Sequence, residues 1–290
     1  VSKQRLNLQR TAEPSVVKDT RLVSLLSGKG GVGKSVLAYN MAERLAFRGT
    51  RVLLVDLDVY CGNLHILANV ACRYGVAQVV AGDLSLKEAV TVLGGTLDLL
   101  ATDGRGWPED MSSTKAAAHL ATRLRNEGQH YDLILIDHPS GKCRASTVMA
   151  AASDINLLVV VPELTSIADA CGLYKHLLET DRSLDCRLLV NRAQTDDEAE
   201  YIHQKLGALT ERFYGRPPGY HGRLLEAESI RRAVAGQRPL SMTDDAEKTL
   251  VELEKITIQL VSDSLSAHSP AQENSEKAIN SSPATADIRE

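Results

Sequence analysis

The stretch Leu22-Val23-Ser24-Leu25-Leu26-Ser27-Gly28-Lys29-Gly30-Gly31-Val32-Gly33-Lys34-Ser35 decides the fold. It opens with a short, mostly apolar run that feeds straight into a glycine-rich turn. Beyond the turn Leu37, Met41, Leu45 and Ala46 recur at helical spacing, and Gly49 can end that helix. A strand, then G-x-x-x-x-G-K-[ST] from Gly28 to Ser35, then a helix is the context a phosphate-binding loop requires. Glycines let the backbone N–H groups of residues 30–34 face phosphate oxygens, where side chains would collide. The helix beginning near Lys34 adds its positive N-terminal end. Lys34 can neutralise the β- and γ-phosphates of a nucleotide, and the Ser35 hydroxyl can ligate Mg2+. ATP or ADP with Mg2+ are therefore the expected cofactors. The competing reading, a chance glycine-rich turn, does not account for Lys-Ser and the flanking strand and helix together.

The same grammar continues along the chain. Residues 51–57 (RVLLVDL) read as a buried strand, apolar on both faces as parallel sheets require. Leu97–Leu100, residues 133–136, 155–161 and 187–190 read as further strands, with helices near 115–126 and through Leu178. This alternation predicts an α/β fold: a doubly wound, mostly parallel sheet with helices on both faces. Residues 245–261 read as one helix with Leu250, Leu253, Ile256, Leu260 and Val261 on a face. The expected organisation is a loosely ordered segment 1–20, a compact domain 21–265 and a disordered tail 266–290.

Composition narrows the class. With 43% hydrophobic and 24% charged residues the chain reads as soluble and globular. No apolar run approaches the roughly 18 residues of a membrane span, and residues 1–20 lack the apolar core of a secretory signal. The five cysteines show no C-x-x-C spacing, which disfavours a disulfide framework or zinc knuckle and points to the cytoplasm. A net charge of -4 argues against a protein that coats nucleic acid, though not against a local basic patch.

Asp56 and Asp58 leave the carboxyl end of the second strand, where open α/β sheets place ligands. Asp56 lies deeper and reads as a residue that holds Mg2+ through a bound water or supports the groups that hold it. Four apolar residues end in Asp137, which is expected to hold Mg2+ through a water. Lys29 departs from the generic loop: K-G-G-V-G-K-S resembles the deviant Walker A signature of the MinD/ParA family. That resemblance implies that Lys29 acts in trans on the phosphates of a second copy, within an ATP-dependent homodimer. It also implies that Asp58, second in a D-x-D, positions the attacking water, and that residues 137–141 (DHPSG) form the switch sensing the γ-phosphate. Lys29, Lys34 and Asp58 are thus the expected catalytic set. Residues 161–169 (VPELTSIAD) resemble a further block of the family, and Asn191, with Arg192, falls where the family contacts adenine. His138 reads as an idle switch-loop residue, with a catalytic or pH-sensing role as the alternative.

Within the family, residues 61–65, 74–89 and 212–240 resemble the flagellar-number regulator branch, FlhG/FleN. That implies a cytoplasmic ATPase that regulates placement or number of a cellular structure, slow until a partner such as a signal-recognition-particle-type GTPase activates it. Of the branch's N-terminal partner motif, residues 1–20 carry only Gln9-Arg10. The branch also docks peripherally on the inner face of the membrane through a basic helix, but residues 245–261 carry several acids and suit packing on the domain better. Residues 203–238 hold Lys205, Arg212, Arg216, Arg223, Arg231, Arg232 and Arg238 against three glutamates. They could contact DNA nonspecifically, as in ParA-type segregation ATPases, or form a solvated face. A non-catalytic pilus-assembly scaffold is a third reading, and Lys29, Lys34, Asp58 and Asp137 count against it.

Overall fold

The computed structural model describes residues 20–266. The expectations for 1–19 and 267–290 lie outside the described residues. In chain order the elements are β1 (Arg21–Leu26), α1 (Lys34–Phe47), β2 (Val52–Asp56), α2 (Leu64–Leu67), α3 (Val76–Ala81), α4 (Leu86–Ala89), β3 (Thr91–Gly94) and β4 (Leu97–Leu100). Then come α5 (Ser113–Glu127), β5 (Leu133–Asp137), α6 (Arg144–Ala152), β6 (Ile155–Val160), α7 (Leu164–Thr180) and β7 (Cys186–Ala193). The chain continues through α8 (Asp196–Tyr214), β8 (Gly219–Leu225), α9 (Glu228–Ala235), a 3-10 turn (Leu240–Met242) and α10 (Glu247–Ser266).

One eight-stranded sheet carries the order β3-β4-β2-β5-β1-β6-β7-β8. The chain builds outward from β1 to β2 and β4, returns to insert β5, and then grows the other way through β6, β7 and β8. All neighbouring pairs are parallel except β3 with β4. Every residue of β2, β5 and β6 is buried, which explains their near-continuous Leu, Val and Ile. The edge strand β3 alternates between half-buried and exposed instead. The sequence reading placed no strand there. The pairing of Gly94 with Leu97 leaves a two-residue turn, and Gly95 takes a φ of 55° that suits glycine.

α10 closes the sheet's outer layer. Leu253, Ile256 and Leu260 are buried in one core with Leu37, Met41 and Leu45 of α1, each such burial contributing about 1.5–3 kcal/mol. Glu254 pairs with Arg44 of α1 and with Arg48 just beyond it, and Arg21 Nη1 donates to the Leu260 carbonyl at 2.9 Å. The apolar face of this helix is therefore spent inside the domain, as its acidic composition suggested. Among the described residues no helix is long and apolar enough to cross a membrane.

A candidate nucleotide site at the strand ends

β1 delivers the glycine-rich loop to the middle of the sheet's carboxyl edge, between β5 and β6. Gly31 and Gly33 adopt φ of 79° and 84°, a region that side chains resist. Packing constrains the glycines as well. A Cβ on Gly28 would stand 2.3 Å from the carbonyl carbon of Asp169 in α7, and one on Gly33 would stand 2.6 Å from Asn191 Nδ2. The first helical hydrogen bond of α1 runs from the Leu37 N–H to the Gly33 carbonyl at 2.9 Å, so the N–H groups of Lys34, Ser35 and Val36 precede the helical ladder and suit an anion.

Below the loop, Lys34 Nζ lies 2.5 Å from Asp137 Oδ1, and both side chains are buried. Asp56 stands opposite Asp137 across the β2–β5 pair. Burial, and secondarily the charge of Asp137, push the Asp56 carboxyl up to about 7, against the pull of the Leu64 and Asp58 N–H groups and of Lys34. His138 is completely buried, its Nε2 2.7 Å from Ser24 Oγ. Burial, then the charge of Lys34, hold it well below its ordinary value. The neutral ring ties the segment after β5 to β1.

A cavity of about 410 Å³ opens over this floor, lined by the glycine-rich loop, Ser35, Asp56, Asp58, Asp137 and Ser140. Asp58 is half-buried at its rim and accepts the Cys61 N–H at 3.1 Å. Lys29 also lines the cavity, at its exposed lip: its Nζ is 2.5 Å from Glu163 Oε2 and 3.1 Å from Thr165 Oγ1, where α7 begins.

A second cavity of about 360 Å³ meets the first at Gly33, with walls that include Leu37, Leu224, Ile230, Val234 and Leu253. Here the β7–β8 register slips between Asn191 and Ala193, and Arg192 takes a φ of 61°. Such a bulge re-aims side chains. Asn191 turns inward, donating from Nδ2 to the Val32 carbonyl at 2.7 Å, while Arg192 turns outward to Glu226 Oε2 at 2.8 Å. Both border the cavity. An apolar slot ending in an amide, beside a phosphate loop, suits a purine base.

The residues present fit magnesium held jointly with phosphate. Among the described residues no group of three or more His, Cys, Asp or Glu side chains could cage a metal alone. Ser35 and a water on Asp137 would share the ion with phosphate oxygens, the arrangement Mg2+ prefers.

Apart from Gly28, the expected loop and strand-end residues each line one or the other of two adjoining cavities. Sequence reasoning did not foresee Glu163 and Thr165 as partners of Lys29, nor Glu226 bridging Arg192 and Arg231. No local pattern marks a pair that only the sheet brings together. The basic stretch is largely engaged within the fold. Arg223 pairs with Asp196 and Glu252, Arg231 with Glu226, Arg232 with Asp245, and Arg216 donates to the Arg182 and Leu184 carbonyls.

Fold and site together define a P-loop nucleotide-binding protein with a second lysine at the start of its loop. A family model described as "AAA domain" matches residues 20–188. The antiactivator FleN of Pseudomonas aeruginosa is 31% identical over 220 residues, covering 75% of this chain and 78% of that protein. The chromosome-partitioning ATPase Soj of Thermus thermophilus is 31% identical over 240 residues, covering 80% of this chain and 94% of that protein. The septum site-determining protein MinD of Pyrococcus horikoshii, solved with Mg-ADP, shares the fold at a TM-score of 0.68 and 22% identity, over 83% of this chain and 96% of that one. The chain belongs to the MinD/ParA family of P-loop ATPases.

Proposed function

We propose that this chain is a dimerising ATPase switch: MgATP favours a pair of copies, hydrolysis ends the pairing, and the cycle regulates placement or number of a cellular structure, flagella first. The observation that carries this reading is the position of Lys29. Its ammonium sits on the exposed lip of its own phosphate cavity, paired with Glu163, where a second copy can meet it. Lys34 neutralises the phosphates, and Asn191 with Arg192 contacts the base. Ser35 and Asp137 hold Mg2+, which when bound supplies charge neutralisation at the β- and γ-phosphates. Asp58, at the rim, orients the attacking water. Phosphoryl transfer asks mainly for placement and charge, so an ordinary carboxylate suffices. The likeness to FleN supports the flagellar role and a protein partner that activates hydrolysis.

The near-complete coverage of Soj supports a second reading, a ParA-type ATPase that moves DNA. The ion pairs that occupy Arg223, Arg231 and Arg232 weigh against it. The test is hydrolysis of MgATP by wild type and Asp58→Ala, with retention on duplex DNA at rising salt. Turnover lost in the variant, without DNA retention, supports the first reading. ATP-dependent retention that falls steeply with salt supports the second. Absence of ATP hydrolysis with every partner supplied would overturn both.

A further inference from the structure

The residue before α2, Asn63, gives that helix no side-chain cap. The N–H of Leu64, the first helical residue, donates instead to Asp56 Oδ2 at 3.2 Å. The other oxygen of the same carboxylate, Oδ1, accepts the Asp58 N–H at 3.2 Å. Asp56 therefore grips both ends of the loop 58–63, and that loop carries Asp58. Gly62 lies against the grip from above: a Cβ there would stand 2.4 Å from Asp56 Oδ2 and 2.3 Å from Thr102 Cγ2. Thr102, just beyond β4, donates its hydroxyl to the Val59 carbonyl at 2.9 Å, and the Gly106 N–H donates to that carbonyl at 3.1 Å. The loop is thus pinned by a carboxylate from β2 and a hydroxyl from the β4 side, with glycine-sized clearance between them.

The neighbouring carboxylate is used differently. Asp137 meets the Lys34 ammonium at the cavity floor, whereas the hydrogen bonds Asp56 accepts come from backbone N–H groups of the loop and its helix. Losing the carboxyl acceptor would leave the Leu64 N–H buried and unsatisfied.

We propose that Asp56 is a positioning residue: its carboxylate sets the loop 58–63, and so places Asp58 over the phosphate cavity, rather than serving as a ligand of Mg2+. The proposal rests on the ATPase reading above and deepens it by separating the two acidic roles in D-x-D.

Two variants of the full chain test it, Asp56→Asn and Gly62→Ala. The first turns one acceptor into a donor facing an N–H. The second keeps the carboxylate and pushes the loop off it, so the test survives if the first variant folds poorly. Amide exchange at Leu64 is measured in nucleotide-free protein, together with kcat, the KM for ATP and the Mg2+ midpoint of nucleotide binding. In both variants Leu64 is expected to exchange at least about tenfold faster. The kcat falls about 10–100-fold, as a displacement near 1 Å implies, with KM and the Mg2+ midpoint held within about twofold of wild type. A shift in that midpoint of about tenfold or more in Asp56→Asn, with Leu64 still protected, would overturn the proposal and make Asp56 a magnesium-site residue. Wild-type kcat in Gly62→Ala would also overturn it. If wild type binds no ATP, the functional reading fails, and the exchange measurement alone still decides whether Asp56 holds the loop.

Discussion

Lys29 and Glu163, 134 positions apart in the chain, form an ion pair of 2.5 Å at the mouth of the phosphate cavity. The hydrogen bond from Lys29, and then its charge, hold the Glu163 carboxyl below its ordinary value, so that carboxyl is ionised at neutral pH. While engaged with Glu163 and Thr165, the ammonium is less open to an added reagent. Glu163→Gln is expected to raise the rate at which an amine-directed acylating reagent modifies Lys29 a few-fold, read by peptide mass spectrometry. Added salt should move wild type toward the variant, because exposed pairs are screened. Equal rates at low salt would contradict the pairing.

The Lys34–Asp137 pair lies deep, so its loss has a different signature. Lys34→Ala leaves a buried carboxylate unpaired beside Asp56 and is expected to destabilise the nucleotide-free protein by about 3 kcal/mol. Asp137→Asn in that background should recover part of the loss, making the pair non-additive in denaturant unfolding. Simple additivity would show that the two side chains do not interact.

Leu253 is buried against α1 and Ile258 is about half exposed on the same helix. Leu253→Ala is expected to cost about 2–5 kcal/mol by cavity formation, and Ile258→Ala to stay within about 0.5 kcal/mol. Equal costs in urea unfolding would contradict the packing of α10 on the domain.

Glu127 joins α5 to the start of α4: it pairs with Arg123 and accepts the Leu86 N–H at 2.7 Å. The hydrogen bond from Arg123 leads the effects that hold its carboxyl below the ordinary 4.5. A depressed folded value means this contribution is fully present above the unfolded value and is lost as pH falls through the folded one. The Tm gap between wild type and Glu127→Gln should therefore be constant above about pH 5.5 and shrink on acidification below about 4.5. A gap independent of pH would contradict the pairing.

Much of this was legible in the sequence because it is local. The loop, its flanking β1 and α1, and the apolar strands each carry their signal within a dozen residues. β3 was overlooked because it is short, and its glycine turn reads as a plain loop until β4 pairs with it. α8 was also passed over, although Thr195 caps it by accepting the Glu198 N–H and Gly215 ends it at a φ of 70°. Partners that meet only through the sheet, such as Lys29 with Glu163 or Asn191 with the Val32 carbonyl, have no sequence signal at all. The basic run at 203–238 read as either a DNA contact or a solvated face. Charge counted along a chain takes no account of acids such as Asp196 and Glu252 that the fold brings against it.

The most direct test of the switch is molar mass by light scattering with Mg2+ and no nucleotide, ADP or ATP, using wild type, Asp58→Ala and Lys29→Ala. The account predicts a dimer only with ATP, one that persists longest in Asp58→Ala and is absent in Lys29→Ala although that variant still binds ATP. A monomer in every condition, with ATP bound, would contradict it.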